Sequence, residues 1–325
     1  YGQAMYMLVQ GQLNEAEKLC RTNIDRAVSE GHGDFPAAGS LYITISRINL
    51  ERDRLDEAEA YLNTGLRIAR SGGFSEAVRT GRYLRAHLAA ARGNLDAAVN
   101  IFLDTERIVN AIDDPYLTGE LNWEWAKLYL KAGDLDAARE KLHVLEEKIA
   151  ATQHANLLLW WGWLCPRLFF AEGRYEEALA ALDESILRAR AGKSMGELIH
   201  LLALQAVALN ALGDSVPARA AIREALALAA PEGYIGRWLD AGPGIAPLLH
   251  DLRCDRETPQ AAHPYLDSVL KSCQDAFGLP ARTQPGELLD PLTTRELEIM
   301  RLICKGYSNP EVASELVVTI NTIKK

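Results

Sequence analysis

The residues best suited to specific binding chemistry lie at the C-terminal end of the chain, in 292–325. Thr293 is followed three residues later by Glu296, and the two form a capping box, in which each side chain binds a free backbone N–H of the first helical turn. Asn309 before Pro310 predicts the start of a second helix, because proline at the first helical position loses no hydrogen bond. The segment is therefore expected to begin with two short helices.

The apolar residues of this segment support the same interpretation. Val312, Ala313 and Leu316 recur at helical spacing, so we expect them on the buried face of the second helix. Thr319 then predicts the cap of a third helix that begins at Ile320. Two short helices joined by a turn of three or four residues form a helix-turn-helix, a motif whose second helix enters the major groove of DNA.

No combination of residues in the sequence predicts catalysis or a metal site. The five cysteines are scattered without the paired spacing of a metal site or a redox motif, and they are expected to be reduced thiols in a cytoplasm. The run Gly192-Lys193-Ser194 is similar to the end of a phosphate-binding loop, but the glycine required five residues earlier is Leu187. We interpret that run as a loop between helices. The chain is therefore predicted not to be an enzyme and to hold no cofactor of its own.

The balance of charge places any contact with nucleic acid at the C-terminal end. The chain has a formal net charge of −9, to which 292–325 contributes +1 and the remaining residues −10. Because an acidic surface repels phosphates, only the C-terminal segment is expected to contact DNA. The longest apolar run, 157–170, contains Pro166 and Arg167 and is too short to span a membrane, so we expect a cytoplasmic protein without membrane contact.

A six-residue motif recurs six times along the rest of the chain. Its first residues are 42, 40, 40, 40 and 40 positions apart, at Gly11, Asp53, Gly93, Gly133, Gly173 and Gly213. Each motif lies between two apolar stretches of helical period, which predicts a helical hairpin. The first motif residue would end one helix in a left-handed turn, a polar residue would begin the next, and an alanine would allow close packing.

The repeat predicts two sets of helices. The first helices of the hairpins are expected at 38–51, 76–92, 117–132, 156–172 and 197–212. The second helices are expected at 14–29, 56–70, 95–110, 135–150, 175–190 and 215–229. A further helix is expected at 265–277, followed by a linker over 278–291.

The motif resembles the tetratricopeptide repeat in its glycine, in the leucine or aromatic residue two positions later, and in its alanine. Because that repeat has 34 residues, we expect about six extra residues per unit, in longer second helices or in loops such as 110–115. The resemblance implies an all-α fold, a right-handed superhelix of hairpins with a concave inner face. We expect this domain to cover 1–255, with a helix and linker in 256–290 and part of a helix-turn-helix domain in 291–325.

Residues 292–325 also resemble the DNA-binding domain of the LuxR family of bacterial transcription regulators. The matching positions are Leu292, Thr293, Arg295, Glu296, Glu298, Gly306, Ser308, Asn309, Glu311, Val312, Ala313, Thr319, Thr322, Ile323 and Lys324. The resemblance implies that the third helix reads the major groove and that promoter DNA is contacted by Thr319, Asn321, Thr322, Lys324 and Lys325. The alternative is that these residues are solvated caps of a small helical domain. We expect weak DNA binding by this segment alone, because its third helix is only partly present.

Tetratricopeptide geometry places fixed positions of each first helix on the concave face. Counting back from each motif glycine gives the candidate ligand-binding residues Tyr83, His87, Trp123, Lys127, Trp160, Trp163, Arg167 and His200, with Arg47, Phe170 and Asn210 nearby. Aromatic faces beside cations suit a small molecule or a peptide. The alternative is that Trp123, Trp125, Trp161 and Trp163 pack between hairpins. Pro166 inside a first helix is expected to kink it.

The segment from Pro231 to Leu249 resembles the end of the superhelical domain in the MalT-like, ATP-dependent branch of the LuxR family. That resemblance implies an activator whose superhelix binds a small-molecule inducer or a regulatory protein and thereby controls binding to promoter DNA. It also implies self-association of the full-length protein and an ATPase module upstream of this chain. The competing hypothesis is a tetratricopeptide adaptor that binds a peptide or protein in its groove and senses no small molecule.

Overall fold

The computed structural model describes residues 1–73, 75–279, 299, 312, 313, 315 and 316. The chain divides into two compact units, Tyr1–Gly278 and Leu279–Lys325. The first unit contains α-helices throughout and no strand among its described residues, as the repeat predicts.

The helices of the first unit follow one another with short connections. In chain order they are α1 Gly2–Val9, α2 Leu13–Ser29, α3 Pro36–Glu51, α4 Leu55–Ala69, α5 Glu76–Ala91, α6 Leu95–Ile112, α7 Pro115–Ala132, α8 Leu135–Thr152, α9 Ala155–Ala171, α10 Tyr175–Ala191, α11 Met195–Ala211, α12 Ser215–Ala229, α13 Gly236–Leu239, α14 Ile245–Cys254 and α15 His263–Phe277. Helices α3, α5, α7, α9 and α11 are the predicted first helices, and α2, α4, α6, α8, α10 and α12 the predicted second helices. Both sets are confirmed to within a few residues at each end.

The left-handed turn predicted at each motif is confirmed. The five motif glycines have φ between 74° and 90°, and the one non-glycine residue at this position, Asp53, has φ 56°. Aspartate occupies this region more readily than most residues because its short side chain can hydrogen-bond locally. The motif alanines that follow are at most 1% exposed, so each second helix packs directly on its partner.

The extra residues of the repeat lie in both helices of a hairpin. Helices α7 and α8 have 18 residues each. The connection expected to be long, 110–115, contains only two residues outside the helices, Asp113 and Asp114. The expectation of a lengthened loop is therefore wrong there, and the alternative of longer helices holds for first as well as second helices.

Helices α3 and α4 approach most closely at two glycines. A side-chain carbon on Gly39 would lie 2.7 Å from the carbonyl oxygen of Gly65, and one on Gly65 would lie 2.9 Å from the carbonyl oxygen of Gly39. Real Cβ atoms are not found that close to backbone, so only glycine at both positions permits this approach.

The N-terminal hairpins meet the C-terminal helices of the same unit. The backbone N–H of Ile235, just before α13, donates to the carbonyl oxygen of Glu51 at the end of α3, at 2.8 Å. The guanidinium of Arg52 donates to Glu17, to Asn14 and to the carbonyl of Glu232 at 2.6, 2.6 and 3.2 Å. Helix α1 also packs on α11. The stack of hairpins therefore closes on itself, and we call this junction the seam.

Helix α15, expected in the segment between the two domains, packs in the first unit. The indole Nε1–H of Trp238 donates to the hydroxyl of Tyr265 at 2.6 Å, and that hydroxyl donates to the carbonyl of Tyr234. Leu266, Val269 and Cys273 of α15 are buried in the same core as α11 and α12. The helix predicted over 265–277 is confirmed.

The described part of the C-terminal segment agrees with the helix-turn-helix prediction. Val312 and Ala313 are helical and buried, and the backbone N–H of Leu316 donates to the carbonyl of Val312 at 3.0 Å. The capping residues predicted at Thr293, Asn309 and Thr319 lie outside the described residues.

The sequence predicts no membrane-spanning segment, no metal site and reduced cysteines. No helix described is both long and apolar enough to cross a membrane. No group of histidine, cysteine and acidic residues in the same set has the arrangement of a metal site. Cys20, Cys165, Cys254 and Cys273 are free thiols.

Pro166 does not end helix α9, which continues to Ala171. Proline has no N–H, so the carbonyl of Gly162, four residues earlier, lacks its usual helical donor. The hydroxyl of Ser185, on the neighbouring helix α10, lies 2.7 Å from this carbonyl oxygen and 2.9 Å from that of Ala181. A side chain from the next helix thus satisfies the acceptor that the proline leaves free.

We predict that Ser185→Ala lowers the free energy of unfolding by about 1–3 kcal/mol, the cost of leaving a buried acceptor unsatisfied. Restoring the N–H with Pro166→Ala should reduce this cost, because the Gly162 carbonyl then regains a backbone donor. Urea denaturation of the two single variants and the double variant measures the coupling. Ser29→Ala, whose hydroxyl makes an exposed bond to the carbonyl of Arg26, is the matched control. Equal costs of Ser185→Ala in both backgrounds would contradict the pairing.

Candidate functional site

Three polar side chains from α5 and α7 form a hydrogen-bonded cluster on the first helices. Nε2 of His87 lies 2.5 Å from a carboxylate oxygen of Glu124, and Nζ of Lys127 lies 2.9 Å from the same oxygen. Their side chains are 11–24% exposed. Lys127 and Glu124 are three residues apart on α7, so they share one helix face, and His87 comes from the preceding hairpin. We call these three residues the central triad.

Burial and charge act against each other in the central triad. Burial alone raises the pKa of Glu124, but Lys127 and His87 outweigh it and hold that pKa at about 2. Burial lowers the pKa of His87, and the positive charge of Lys127 lowers it further despite Glu124. His87 is therefore neutral near pH 7 and donates its Nε2–H to an ionised Glu124.

An aromatic surface continues from the central triad towards α9. The indoles of Trp123 and Trp160 stack with centroids 4.7 Å apart at 17°. Nζ of Lys127 lies 4.3 Å from the centre of the Trp123 ring, a cation–π contact, and Tyr116 borders Trp160 at 6.1 Å. Four of the predicted site residues, His87, Trp123, Lys127 and Trp160, thus form one continuous surface.

Tyr83 lies one turn before His87 on α5 but is almost fully buried. Its ring packs on Phe102 of the second helix α6 at 6.0 Å, and its hydroxyl has no hydrogen-bond partner among the described residues. Beside it, Arg79 pairs with Glu120 of α7. Burial raises the pKa of Glu120 even though Arg79 lowers it, so the pair is held in a poorly solvated position.

A second ionic cluster lies at the seam. The guanidinium of Arg237, on α13, binds the carboxylate of Glu51 of α3 at 2.9 Å and that of Glu197 of α11 at 3.0 Å. Nδ1 of His200 donates to the carbonyl of Arg237 at 3.2 Å, and the imidazole is fully buried. Burial lowers the pKa of His200 to about 4, so this histidine is neutral.

The pKa of Asp240, directly after α13, responds to cations from two first helices. Burial alone raises its pKa, but Arg167 of α9 and Lys131 of α7 outweigh burial, with smaller contributions from His200 and Arg237, so the pKa lies below its usual range. Lys131 also lowers the pKa of His87 on α5.

The predicted ligand-binding residues differ in how accessible they are to a ligand. Arg167 is half-buried and acts on Asp240, whereas the fully buried His200 has no surface for a ligand to reach. Trp163 packs against the core around α11, and its Nε1–H has no acceptor in the part of the chain that the structure describes. Trp125 and Trp161 behave as the packing hypothesis expects. Trp125 is 1% exposed and packs on Phe102 in a tilted arrangement with the ring centroids 4.9 Å apart, and Trp161 donates to Glu146 of the second helix α8.

The predicted DNA-contacting residues lie outside the described residues. These are Thr319, Asn321, Thr322, Lys324 and Lys325. Their role stays a prediction.

Several polar residues of the interior were not anticipated. Counting back from the motif glycines did not select Glu120 and Glu124, which lie one turn apart on α7. Their partners Arg79 and His87 precede them by 41 and 37 residues, close to one repeat. The sequence thus contained a signal for these pairs: a basic and an acidic residue about one repeat apart on successive first helices. Arg237 and Asp240 lie after the last repeat, where no periodicity points to them.

Two clefts lie elsewhere on the first unit. One, of about 600 Å³, lies at the seam between the turn around Asp53 and the polar face of α15 that includes Ser268 and Lys271. The other, of about 340 Å³, lies between α12 and α14 and includes Arg219 and Cys254. Neither contains any of the eight predicted ligand-binding residues.

Stacked hairpins of one 40-residue repeat, with charged and aromatic residues on their first helices, define a tetratricopeptide-like scaffold. The family described as "MalT-like TPR region" matches residues 1–255, and the chain belongs to this family. Residues 290–325 match the family described as "Bacterial regulatory proteins, luxR family".

Curated proteins that are similar to this chain are named HTH-type transcriptional regulator MalT. The chain is 27% identical to HTH-type transcriptional regulator MalT of Vibrio parahaemolyticus over 291 residues, which cover 84% of this chain and 32% of the relative. It is 27% identical to the same-named protein of Serratia proteamaculans, with 86% and 32% covered, and 26% identical to that of Yersinia enterocolitica, with 99% and 37% covered. The chain thus spans about a third of the length of these relatives.

We predict that Lys127→Met raises the pKa of His87. The change removes the cation that opposes protonation of His87 and leaves Glu124, which favours it. An NMR titration of the histidine ring protons measures the shift. Lys18→Met, at an exposed lysine of α2, is the control and should leave the titration of His87 unchanged. A His87 pKa that is the same in both variants would contradict the assigned geometry.

We predict that the free energy of unfolding falls as the pH is lowered from about 6.5 to about 4, on account of His200. Its folded-state pKa of about 4 lies below its ordinary 6.5, so in this window the unfolded chain binds a proton that the folded chain does not. The loss is on the order of 3 kcal/mol. His200→Asn keeps a donor near the Arg237 carbonyl and should flatten this dependence. Denaturant unfolding across the window tests it, with the exposed His143→Asn as control. An unchanged slope in His200→Asn would contradict it.

Proposed function

We propose that this chain is the sensor and C-terminal part of a LuxR-class, MalT-like transcription activator. The superhelix binds an effector on its inner face, and binding controls the attachment of the helix-turn-helix to promoter DNA. The observation that carries this proposal is the continuous surface formed by the central triad and the stacked indoles of Trp123 and Trp160. Charged groups and aromatic faces held side by side on rigid helices suit ligand recognition.

Closure at the seam favours a small molecule as the effector. An open solenoid offers a long groove to an extended peptide, whereas here α3 meets α13 and α1 packs on α11. The first and last helices of the first unit therefore bound its inner face. One donor at the triad, Nε1 of the half-buried Trp123, has no hydrogen-bond partner within the described ranges and is available to a ligand's acceptor.

The C-terminal segment is the proposed output of the sensor. Its match to bacterial regulatory proteins of the luxR family, and relatives named as HTH-type regulators, support DNA binding through the third helix, with Lys324 and Lys325 facing the groove. In the full-length protein we propose that an upstream nucleotide-binding module drives self-association, so that several helix-turn-helix domains meet adjacent DNA sites.

A protein-binding adaptor is the second candidate. A row of charges from Arg79–Glu120 through the central triad to Arg167 and Arg237 is the observation that favours it, since such rows suit acidic or basic peptide partners. The adaptor would bind a peptide or protein and no metabolite.

Trp123→Ala should weaken effector binding by about tenfold or more, because it removes half of the stacked indole pair. Trp161→Ala is the matched control, since that indole faces α8 and lies away from the triad. Calorimetry of this chain against a panel of metabolites and peptides separates the candidates. Saturable binding of a metabolite, lost in Trp123→Ala and kept in Trp161→Ala, supports sensing. Binding of peptides alone supports the adaptor.

The link to DNA is tested on the full-length protein. Promoter binding measured by fluorescence anisotropy should require the metabolite identified by calorimetry and should fail in Trp123→Ala. Promoter binding of the same affinity with and without the metabolite would contradict the sensing part of the proposal.

A further inference from the structure

The larger cleft, at the seam, lies between the N-terminal hairpins and the last helix of the first unit. One wall is the turn between α3 and α4, with Asp53 and Arg54, and the other is the polar face of α15, with Lys271 and Asp275. Its volume of about 600 Å³ is within the range of sites that bind small molecules. We call it the seam cleft.

The polar groups between the two walls are bonded to one another. Arg52 is 9% exposed, and all three of its side-chain nitrogens donate to groups of the seam. The side chain of Asn14 donates to the carbonyl of Pro231 at 3.0 Å, and the carboxylate of Glu232 accepts from the backbone N–H of Asn14 at 2.8 Å. These groups hold the walls in place, and their hydrogen bonds are already made within the chain.

The charged groups on the walls have no such partners. Within the part of the chain that the structure describes, no ion pair or hydrogen bond is formed by the side chains of Asp53, Arg54, Lys271 and Asp275. Each wall thus presents one carboxylate and one cation to the cleft. The hydroxyls of Ser268 and Ser272 lie beside them on α15. The seam cleft therefore offers both signs of charge, together with hydroxyl groups, to a bound molecule.

Asp53 is the one residue with a side chain beyond hydrogen at the first position of the six motif turns. The other five turns have glycine there, whereas Asp53 adopts the left-handed conformation with φ 56°. That conformation costs free energy for a residue with a Cβ, although aspartate tolerates it better than most. The cost occurs at the turn that lines the seam cleft, where it places a carboxylate.

We propose that the seam cleft is a second ligand site, for a small zwitterion of the amino-acid or short-peptide class. Arg54 and Lys271 hold the carboxylate of the ligand, and Asp53 and Asp275 hold its ammonium group. A ligand with a single charge would leave two of these four groups without a partner, whereas a zwitterion pairs with both signs. The site is separate from the inner face and goes beyond the function proposed for that face.

A ligand in the seam cleft joins the N-terminal hairpins to α15. Each charged end contacts both walls, so binding adds ionic contacts between the α3–α4 turn and α15. Because the ligand binds the folded chain, it raises the free energy of unfolding. Helix α15 ends at Phe277, directly before the second unit begins at Leu279. The ligand therefore acts on the helix that leads into the segment similar to luxR-family regulators.

The test uses this chain and four tripeptides, at pH 7 and matched ionic strength. Triglycine is a zwitterion, N-acetyl-triglycine an anion, triglycinamide a cation and N-acetyl-triglycinamide neutral. Calorimetry measures binding, and urea unfolding with and without each peptide measures stabilisation. We expect saturable binding of triglycine and binding of the three blocked peptides that is weaker by about tenfold or more, because each lacks at least one ionic contact.

Two variants assign the charges of the ligand to the walls. Lys271→Gln should remove most of the preference for triglycine over triglycinamide, and Asp53→Asn most of the preference over N-acetyl-triglycine. Asparagine also tolerates the left-handed conformation, so the turn is kept. A purely structural role would weaken the binding of all peptides equally. Lys18→Gln and Asp25→Asn, at exposed residues of α2, are the matched controls and should bind triglycine as the unaltered chain does.

Glycine, as a fifth probe, separates the two sources of a zwitterion. Binding of glycine as well as triglycine assigns an amino acid, and binding of triglycine alone assigns a short peptide. Absence of binding by both, or equal affinity for the neutral tripeptide, overturns the site, and so does an unchanged preference in either variant. None of these results bears on the proposed function, because Trp123 and Trp160 lie outside the seam cleft.

Discussion

The turn between the two helices of each hairpin is the constraint on which the rest of the molecule depends. One residue at positive φ reverses the chain, and the buried alanine that follows lets the helices touch. Since the turn recurs almost every 40 residues, equivalent positions of successive first helices come to face the same interior. The central triad and the stacked indoles of Trp123 and Trp160 occupy such positions. The spacing of the turns thus sets which residues can meet.

The hairpins could be predicted from the sequence because their signals are local. Glycine or aspartate in a left-handed turn, a polar helix start and a small packing residue lie within six positions of one another. The contacts of Glu51 with Ile235 and Arg237 could not be predicted from the sequence. These residues are far apart in the chain, and no repeat relates their positions. The same holds for Ser185, which bonds to Gly162 only because two neighbouring helices bring them together.

The candidate site was predicted in part. Positions counted from the turns selected His87, Trp123, Lys127 and Trp160, which lie side by side in the structure because the repeat controls where a first helix points. Their role in ligand binding stays a prediction. The counting placed His200 on a surface although that imidazole is buried under α13, a helix outside the repeat. It also passed over Glu124, without which Lys127 and His87 would repel each other whenever the histidine is protonated. Periodicity locates helix faces, but the burial of each face depends on what covers it.

The seam affects how the repeats of this protein unfold. In an open array of repeats the two end units have one neighbour each, so they fray first and unfolding proceeds inwards from either end. Here the first hairpin is held by Arg52 to the segment that follows the last one, and α1 packs on α11. Neither end of the repeat array is free, and loss of any hairpin removes a neighbour from two others. Such a closed array is expected to unfold as one cooperative body rather than by stepwise fraying.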